Sequence, residues 1–120
     1  MINSYSSPFA VGHKALERFW DGPVWVEEKI DGSQFSFRRE GDALLARAHK
    51  QDLTVFTHEP EHAGMFKLAL ESALSILPLL NEGWTYRGEF LAKPKQNTLV
   101  YSRVPKSNIV LFDVARGLED

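Results

Sequence analysis

The chain has 120 residues, a formal net charge of −2 at pH 7, 43% hydrophobic and 25% charged residues, and no cysteine. This length suits one domain with a modest core, and the lack of cysteine excludes disulfides and thiolate metal sites. The charge gives no overall attraction to nucleic acid, so any polyanion has to be held by a local patch.

The first half of the chain predicts a short helix and then an antiparallel meander. Residues 12–20 favour a helix that ends at Asp-Gly-Pro (21–23). Three strands are predicted, over residues 24–30, 33–39 and 44–49, with a turn at Glu-Gly-Asp (40–42) between the last two. Alternation in the second strand places Phe35 and Phe37 on one face, and the Asp-Gly pair (31–32) before it indicates a hairpin.

The second half changes to a helical period and then returns to strands. Residues 60–77 predict an amphipathic helix, with Glu59 and Glu61 suited to its start and Pro78 to its end. Two further strands are predicted over residues 84–91 and 108–114, separated by a polar, basic loop. The last strand is nearly continuously apolar, which is typical of a buried strand. We therefore predict an α+β fold, a bent antiparallel sheet with one main packed helix.

Lys29 is the first candidate for chemistry. It ends the apolar run Val-Trp-Val (24–26) and is followed by an Asp-Gly turn. Burial in that run would remove its proton, and a neutral lysine is a nucleophile. The alternative is a strand-end lysine that pairs with Asp31 at the surface.

Two later strands add polar side chains in apolar surroundings. Arg87 and Glu89 share the polar face of the strand over residues 84–91, which indicates a half-buried pocket wall. Phe112 and Asp113 lie where the last apolar strand ends. Taken singly, Phe112 is equally consistent with a core residue and Asp113 with a turn former.

In order along the chain, Glu-Lys-Ile-Asp-Gly (28–32), Arg-Gly-Glu-Phe (87–90) and Leu-Phe-Asp-Val (111–114) form a set of three motifs. The set resembles the ATP-dependent RNA ligase family of the covalent nucleotidyltransferases, which also include DNA ligases and mRNA-capping guanylyltransferases. Residues 92–105 are similar to a segment of phage-type and RNA-editing ligases. The resemblance covers residues 24–114 and implies part of a nucleotidyltransferase (ATP-grasp-like ligase) domain.

The resemblance implies an enzyme that joins an RNA 5′-phosphate to a 3′-hydroxyl through a covalent lysyl-AMP on Lys29, with ATP and Mg²⁺ or Mn²⁺. The implied nucleotide-binding residues are Glu28, Asp31, Gly32, Arg47, Glu89, Phe112 and Asp113. Among them, Phe112 would stack on adenine and Glu89 would accept a hydrogen bond from the ribose. The implied RNA-binding residues are Arg47, Lys93, Lys95, Arg103 and Lys106. The alternative for the basic loop is a solvated surface segment.

The family pattern continues with an acidic strand motif and a Lys-x-Lys motif, and neither follows residue 114. We therefore expect residues 1–120 to be a single, truncated ligase domain that by itself binds ATP weakly and seals RNA poorly or not at all. The missing motifs are expected from the rest of a longer chain or from a partner. Three alternatives stay open: a DNA ligase or capping enzyme, a non-catalytic nucleotide- or RNA-binding module, and an interaction domain with an incidental motif.

Other signals are weaker. The His-Glu-Pro-Glu-His segment (58–62) has the letters of a zinc-protease motif, but Pro60 would disrupt the required helix, so no metal ligand set is predicted. His13 and His49 are predicted to lie on the surface. The N-terminus lacks the basic and apolar regions of a signal peptide, and no apolar run reaches the roughly 20 residues of a membrane span. A cytoplasmic protein without a membrane partner is expected.

Overall fold

The computed structural model describes residues 2, 3, 5, 13–49, 52, 53 and 64–116. The regular elements are β1 (Ser33–Glu40), β2 (Ala43–Ala48), α1 (Lys67–Ser75), β3 (Thr85–Phe90) and β4 (Ile109–Ala115). Short 3₁₀ turns occupy Lys14–Leu16, Phe19–Asp21, Leu77–Leu79 and Lys106–Asn108. The prediction of an α+β fold, with an antiparallel sheet and one packed helix, is confirmed.

The four strands form one sheet in the order β2-β1-β3-β4, and each neighbouring pair is antiparallel. A two-residue turn joins β1 to β2, and Gly41 adopts φ +60° there. A left-handed backbone costs glycine little because it has no Cβ. The predicted turn at residues 40–42 is therefore confirmed.

One face of the sheet carries the hydrophobic core. Phe35 and Phe37 of β1 lie there as the alternation predicts, at 0% and 1% exposure. The Phe66 ring stacks on Phe35 at 6.3 Å between centroids and contacts Phe90 of β3 at 5.8 Å. Aromatic pairs at such distances add specific contacts to the burial of their surface.

Helix α1 covers this face with its apolar stripe. Ala69, Leu70 and Ala73 have 0% exposure and belong to the same core as the sheet phenylalanines. The helix is shorter than the predicted 60–77 because the last turn tightens into the 3₁₀ segment that contains Pro78. The predicted start at Glu59 and Glu61 lies outside the described residues.

The predicted strand over residues 24–30 is wrong. Residues 23–31 form no regular structure, and Trp25 and Val26 are 94% and 85% exposed. Both edges of β1 are already paired, with β2 and with β3, so the preceding segment has no free edge of β1 to join. The hairpin predicted at Asp31-Gly32 is wrong for the same reason.

The predicted burial of the last strand is also wrong. β4 pairs with β3 along one side and lies at the end of the sheet. Its residues Leu111 and Val114 are 46% and 45% exposed because this edge strand is not covered by the described part of the chain. None of the described helices has the length and apolar character needed to cross a membrane.

Candidate nucleotide and RNA-end site

The face of the sheet opposite the core carries polar side chains in ordered rows. Gln34 of β1 is paired with Glu89 of β3, and Glu89 with Val110 of β4. Beyond the outer end of β2, the His49 ring lies 3.3 Å from the Gln34 carboxamide oxygen. This first row crosses the sheet near the point where β1 begins.

A cavity of about 420 Å³ opens over this first row. Its lining residues are Tyr5, Glu27, Glu28, Lys29, Ile30, Gln34, His49, Glu89, Val110 and Phe112. Four of the eight residues predicted for catalysis and nucleotide binding line this cavity: Glu28, Lys29, Glu89 and Phe112. They come from three distant parts of the chain. A volume of this size suits a small-molecule ligand.

A β-bulge places Phe112 at the cavity. Arg87 pairs with Asp113 and Gly88 pairs with Leu111, so Phe112 is the extra residue of β4. A bulge changes the direction of a side chain and is frequent beside functional sites. Gly88 permits the close approach, because a Cβ there would lie 2.7 Å from the Val110 carbonyl oxygen.

Asp31 does not reach the cavity wall; it fixes the turn that follows Lys29. One carboxylate oxygen accepts the backbone N–H groups of Thr98 and Leu99 at 2.8 and 2.7 Å. These two bonds, that of Leu99 first, lower the pKa of Asp31 below its ordinary value, and the charge of Lys29 lowers it further. The Asp31 N–H in turn donates to the Tyr101 hydroxyl at 2.8 Å.

Two amide side chains of the same loop complete this attachment. The Asn97 amide donates to the Gly32 carbonyl at 2.7 Å. The Gln96 amide donates to the Ser33 hydroxyl at 2.7 Å and to the Phe90 carbonyl at 3.0 Å. The segment predicted as a basic RNA-binding loop therefore also holds the Asp-Gly turn against the sheet.

Glu89 joins the turn to the cavity. Its carboxylate accepts the Gly32 N–H at 3.1 Å, and burial raises its pKa above the ordinary value. The Gly32 bond and the charge of Lys29 oppose that rise. The position assigned to a ribose-binding carboxylate is thus half-buried and close to both Lys29 and the turn.

Lys29 itself is exposed, which corrects the expectation of a buried, dehydrated amine. It follows the irregular segment that contains Trp25 and Val26 rather than a strand of the sheet, so none of the residues that the structure describes buries it. It nevertheless lines the same cavity as Glu89 and Phe112. The alternative from the sequence was a surface pair between Lys29 and Asp31. In the structure, this interaction is limited to the effect of the Lys29 charge on the pKa of the Asp31 carboxylate.

Arg47 and Asp113 lie in a second row beside the cavity rather than in its lining. Ser36 of β1 is flanked by Arg47 on β2 and by Arg87 on β3, and Arg87 pairs with Asp113. Arg87 is 1% exposed and donates to the Ser36 hydroxyl at 3.0 Å. Burial lowers the pKa of Arg87, and Asp113 opposes that effect.

Four of the five predicted RNA-binding side chains are exposed between β3 and β4, and the fifth, Arg47, lies half-buried on β2. Lys93 and Lys95 are exposed and line neither cavity described here. Arg103 and Lys106 line a second cavity of about 340 Å³. Glu28 borders both cavities, so the two lie on either side of the segment that precedes Lys29.

Six of the ten lining residues are not among the predicted site residues: Tyr5, Glu27, Ile30, Gln34, His49 and Val110. The alternation that puts Phe35 and Phe37 on one face puts Gln34 on the opposite, polar face of its strand, which is a usable signal. For His49 the sequence predicts only a surface position. It is exposed, as predicted, but it bonds to Gln34 beside the cavity. Tyr5 carries no signal in the sequence, because only the tertiary structure brings residue 5 next to β4.

The described residues include no group of three or more histidine, aspartate or glutamate side chains that could hold a metal ion. The His-Glu-Pro-Glu-His segment lies outside the described residues, whereas His13 caps the first 3₁₀ turn and is exposed.

The sequence matches a model of the RNA ligase family over residues 22–119. This match spans most of the chain and includes all three motifs, and the chain belongs to the RNA ligase family. No curated protein matches it, and no solved structure matches it.

Proposed function

We propose that this chain catalyses the ATP-dependent joining of RNA ends through a lysyl-AMP intermediate on Lys29. The observation that carries the proposal is the meeting of Lys29, Glu89 and Phe112 in one cavity of about 420 Å³. A lysine supplies the nucleophile, an exposed aromatic ring supplies a surface for base stacking, and a carboxylate supplies an acceptor for a ribose hydroxyl.

In the first step, the neutral Lys29 amine attacks the α-phosphorus of ATP. A phosphorus–nitrogen bond forms, the bond to the β-phosphate oxygen breaks, pyrophosphate leaves, and the amine proton passes to solvent. An oxygen of an RNA 5′-phosphate then attacks the same phosphorus, the phosphorus–nitrogen bond breaks, and the Lys29 nitrogen takes a proton from solvent. Finally, a 3′-hydroxyl gives its proton to solvent and attacks the 5′-phosphate, and AMP leaves.

The exposure of Lys29 determines when it can react. An exposed ammonium is protonated and unreactive, so the water around it has to be displaced before attack. In this proposal the nucleotide itself covers Lys29 as it fills the cavity between Glu28 and Phe112. A divalent cation, Mg²⁺ or Mn²⁺, would reduce the negative charge of the triphosphate and would be held by phosphate oxygens and water.

The test of this step is transfer of label from α-labelled ATP to the protein in the presence of Mg²⁺ or Mn²⁺. We expect an acid-labile, alkali-stable label on the parent and none on Lys29→Ala. Lys67→Ala, which removes an exposed lysine from the start of α1, is the matched control and should label like the parent. Equal labelling of Lys29→Ala and parent would refute the assignment, and tight ATP binding without label would favour a non-catalytic module.

The RNA end is proposed to approach through the second cavity, because Arg103 and Lys106 line it and Glu28 separates it from the first. Labelled protein should pass its AMP to a 5′-phosphorylated RNA oligonucleotide faster than to a DNA oligonucleotide of the same sequence. Arg103→Ala should slow transfer and reduce the salt dependence of RNA binding, because each lost phosphate contact lowers the salt slope by about 0.7 for a single strand. Equal transfer to DNA would contradict the RNA assignment.

A further inference from the structure

Tyr5 contacts three residues at the edge of the cavity. Its ring meets Phe112 edge to face, with 5.4 Å between centroids and 74° between planes. The Arg87 guanidinium carbon lies 5.1 Å from the centre of the same ring. The Tyr5 hydroxyl is hydrogen-bonded to Asp113, and burial together with this carboxylate raises the pKa of Tyr5.

Ile2, three positions before Tyr5, provides a second contact with the sheet. Ile2 is 2% exposed, and its carbonyl oxygen accepts a hydrogen bond from the Arg47 guanidinium at 3.4 Å. Residues 2 and 5 therefore contact the second row of the sheet at opposite sides, one at β2 and one at β4. These contacts fix the Tyr5 ring between the buried Arg87 and the cavity.

The orientation of the Phe112 ring depends on contacts other than strand pairing. Phe112 is the extra residue of a bulge on an edge strand and is 38% exposed, so strand pairing does not determine the orientation of its ring. Edge-to-face contacts are directional because the ring faces are electronegative and the edges are electropositive. Tyr5 supplies one such contact and is itself held by Arg87 and Asp113.

We propose that Tyr5 is a positioning residue, which holds the Phe112 ring in the orientation on which the adenine base stacks. This inference rests on the proposed function, since it assigns Tyr5 to the same nucleotide site. Asp113 and Arg87 act one step further away, through Tyr5. The role differs from direct contact with the nucleotide, because the effect of Tyr5 then depends on the presence of Phe112.

The test is a double-mutant cycle on the affinity for α,β-methylene-ATP, an analogue that cannot transfer its adenylyl group. Tyr5→Ala should weaken binding about fivefold to tenfold, as expected for loss of an aromatic pair. Phe112→Ala should weaken binding about tenfold or more, as expected for loss of a stacking ring. The double variant should bind no more weakly than Phe112→Ala alone, because Tyr5 acts only through that ring.

Two further variants separate positioning from general damage. Tyr5→Phe retains the ring and should bind within about twofold of the parent, because the edge-to-face contact remains. Trp20→Ala removes a ring from another edge-to-face pair, Phe19–Trp20 with 4.8 Å between centroids, and should leave analogue affinity unchanged. Tyr5→Ala should raise the ATP concentration needed for labelling while the labelling rate at saturating ATP stays near that of the parent, a split that simple unfolding would not produce.

Additive effects of Tyr5→Ala and Phe112→Ala on affinity would overturn the positioning role, as would an unchanged affinity of Tyr5→Ala. The free energies of unfolding in urea of the same four proteins, measured without nucleotide, should also show coupling between the two rings. If the parent binds analogue and takes label but neither cycle shows coupling, the Tyr5 assignment alone fails. If the parent binds no analogue although the rings are coupled in unfolding, the proposed function fails, and the role of Tyr5 in base recognition fails with it.

Discussion

The Glu89 carboxylate accepts the backbone N–H of Gly32 at 3.1 Å, across 57 positions of sequence. This bond connects the second of the three motifs to the turn of the first. Ser33 of β1 pairs with Phe90 of β3, and Gly32 directly precedes Ser33. The pairing of β1 with β3 therefore brings Gly32 close to Glu89. The position of Lys29 relative to Glu89 therefore follows from the pairing of two central strands.

Glu89→Gln should stabilise the protein at neutral pH. Burial raises the pKa of Glu89 above its ordinary value of 4.5. The folded state therefore binds a proton at this carboxylate more readily than the unfolded state does. The loss of stability caused by burying the charged carboxylate is therefore present at pH above the raised pKa. It disappears as the pH falls to the ordinary pKa. Urea unfolding should show the variant more stable at pH 7 and the difference smaller near pH 4. Glutamine retains an oxygen for the Gly32 N–H, and Glu71→Gln, at an exposed position of α1, is the control.

Asp31→Asn should have the opposite pH dependence. The pKa of Asp31 is lowered chiefly by the hydrogen bonds from Leu99 and Thr98. The stability that the ionised carboxylate contributes is therefore fully present at pH above its ordinary pKa of 3.8. That contribution is lost as pH falls through the lowered pKa. The variant should be less stable than the parent at pH 7, with less hydrogen-exchange protection at the N–H groups of Thr98 and Leu99. The difference in stability between the parent and the variant should become smaller as the pH falls. A difference that grows at low pH would contradict the assignment.

Gly32→Ala should destabilise the fold because the turn lies directly on β3. An added Cβ would be 2.4 Å from the Phe90 carbonyl oxygen, and backbone atoms cannot rotate away. We expect a loss of about 1–3 kcal/mol or more in urea unfolding, as for overpacked sites. Gly22→Ala is the matched control, since no atom lies within 4 Å of its added Cβ. Equal stability of the two variants would show that the turn is not packed as described.

Thr85→Val should expose the dependence of a buried arginine on one hydroxyl. Arg38 is 1% exposed, and its Nε and Nη2 donate to the Thr85 hydroxyl oxygen at 3.1 and 2.7 Å. Valine has the same shape but no acceptor, so a loss of about 1–3 kcal/mol is expected. Thr98→Val is the control, because Thr98 is exposed and its bond to Asp31 uses the backbone N–H. Arg38 Nη1 also lies 3.5 Å from the Glu40 carboxylate, so a neutral result for Thr85→Val would mean that this ion pair is enough to hold Arg38.

Leu70→Ala tests the packing of α1 on the sheet. Leu70 has 0% exposure in the core, whereas Leu79 in the following 3₁₀ turn is 81% exposed. Truncation of the buried leucine should cost about 2–5 kcal/mol because it removes contacts and leaves a cavity. Leu79→Ala should change stability by less than about 0.5 kcal/mol. Thermal or urea unfolding of both variants would measure the difference directly.

Local patterns in the sequence determined the elements that depend on neighbouring residues. Alternation placed Phe35 and Phe37 in the core and Arg87 and Glu89 on the opposite face, and glycine predicted the turn at Gly41. These predictions succeeded because side-chain period and backbone freedom act over a few residues. The ordered motifs also indicated the RNA ligase family, and four of the eight residues that they predict for the site line one cavity.

Only the tertiary structure decided which strands pair and which surfaces remain exposed. The apolar run before Lys29 reads as a strand, yet both edges of β1 are occupied by β2 and β3, so the run stays irregular and Lys29 exposed. The bulge that brings Phe112 to the cavity and the packing of Tyr5 against it likewise involve residues far apart in the chain. Periodicity describes what a segment can bury, but the partner that buries it is set by long-range pairing, which no local pattern encodes.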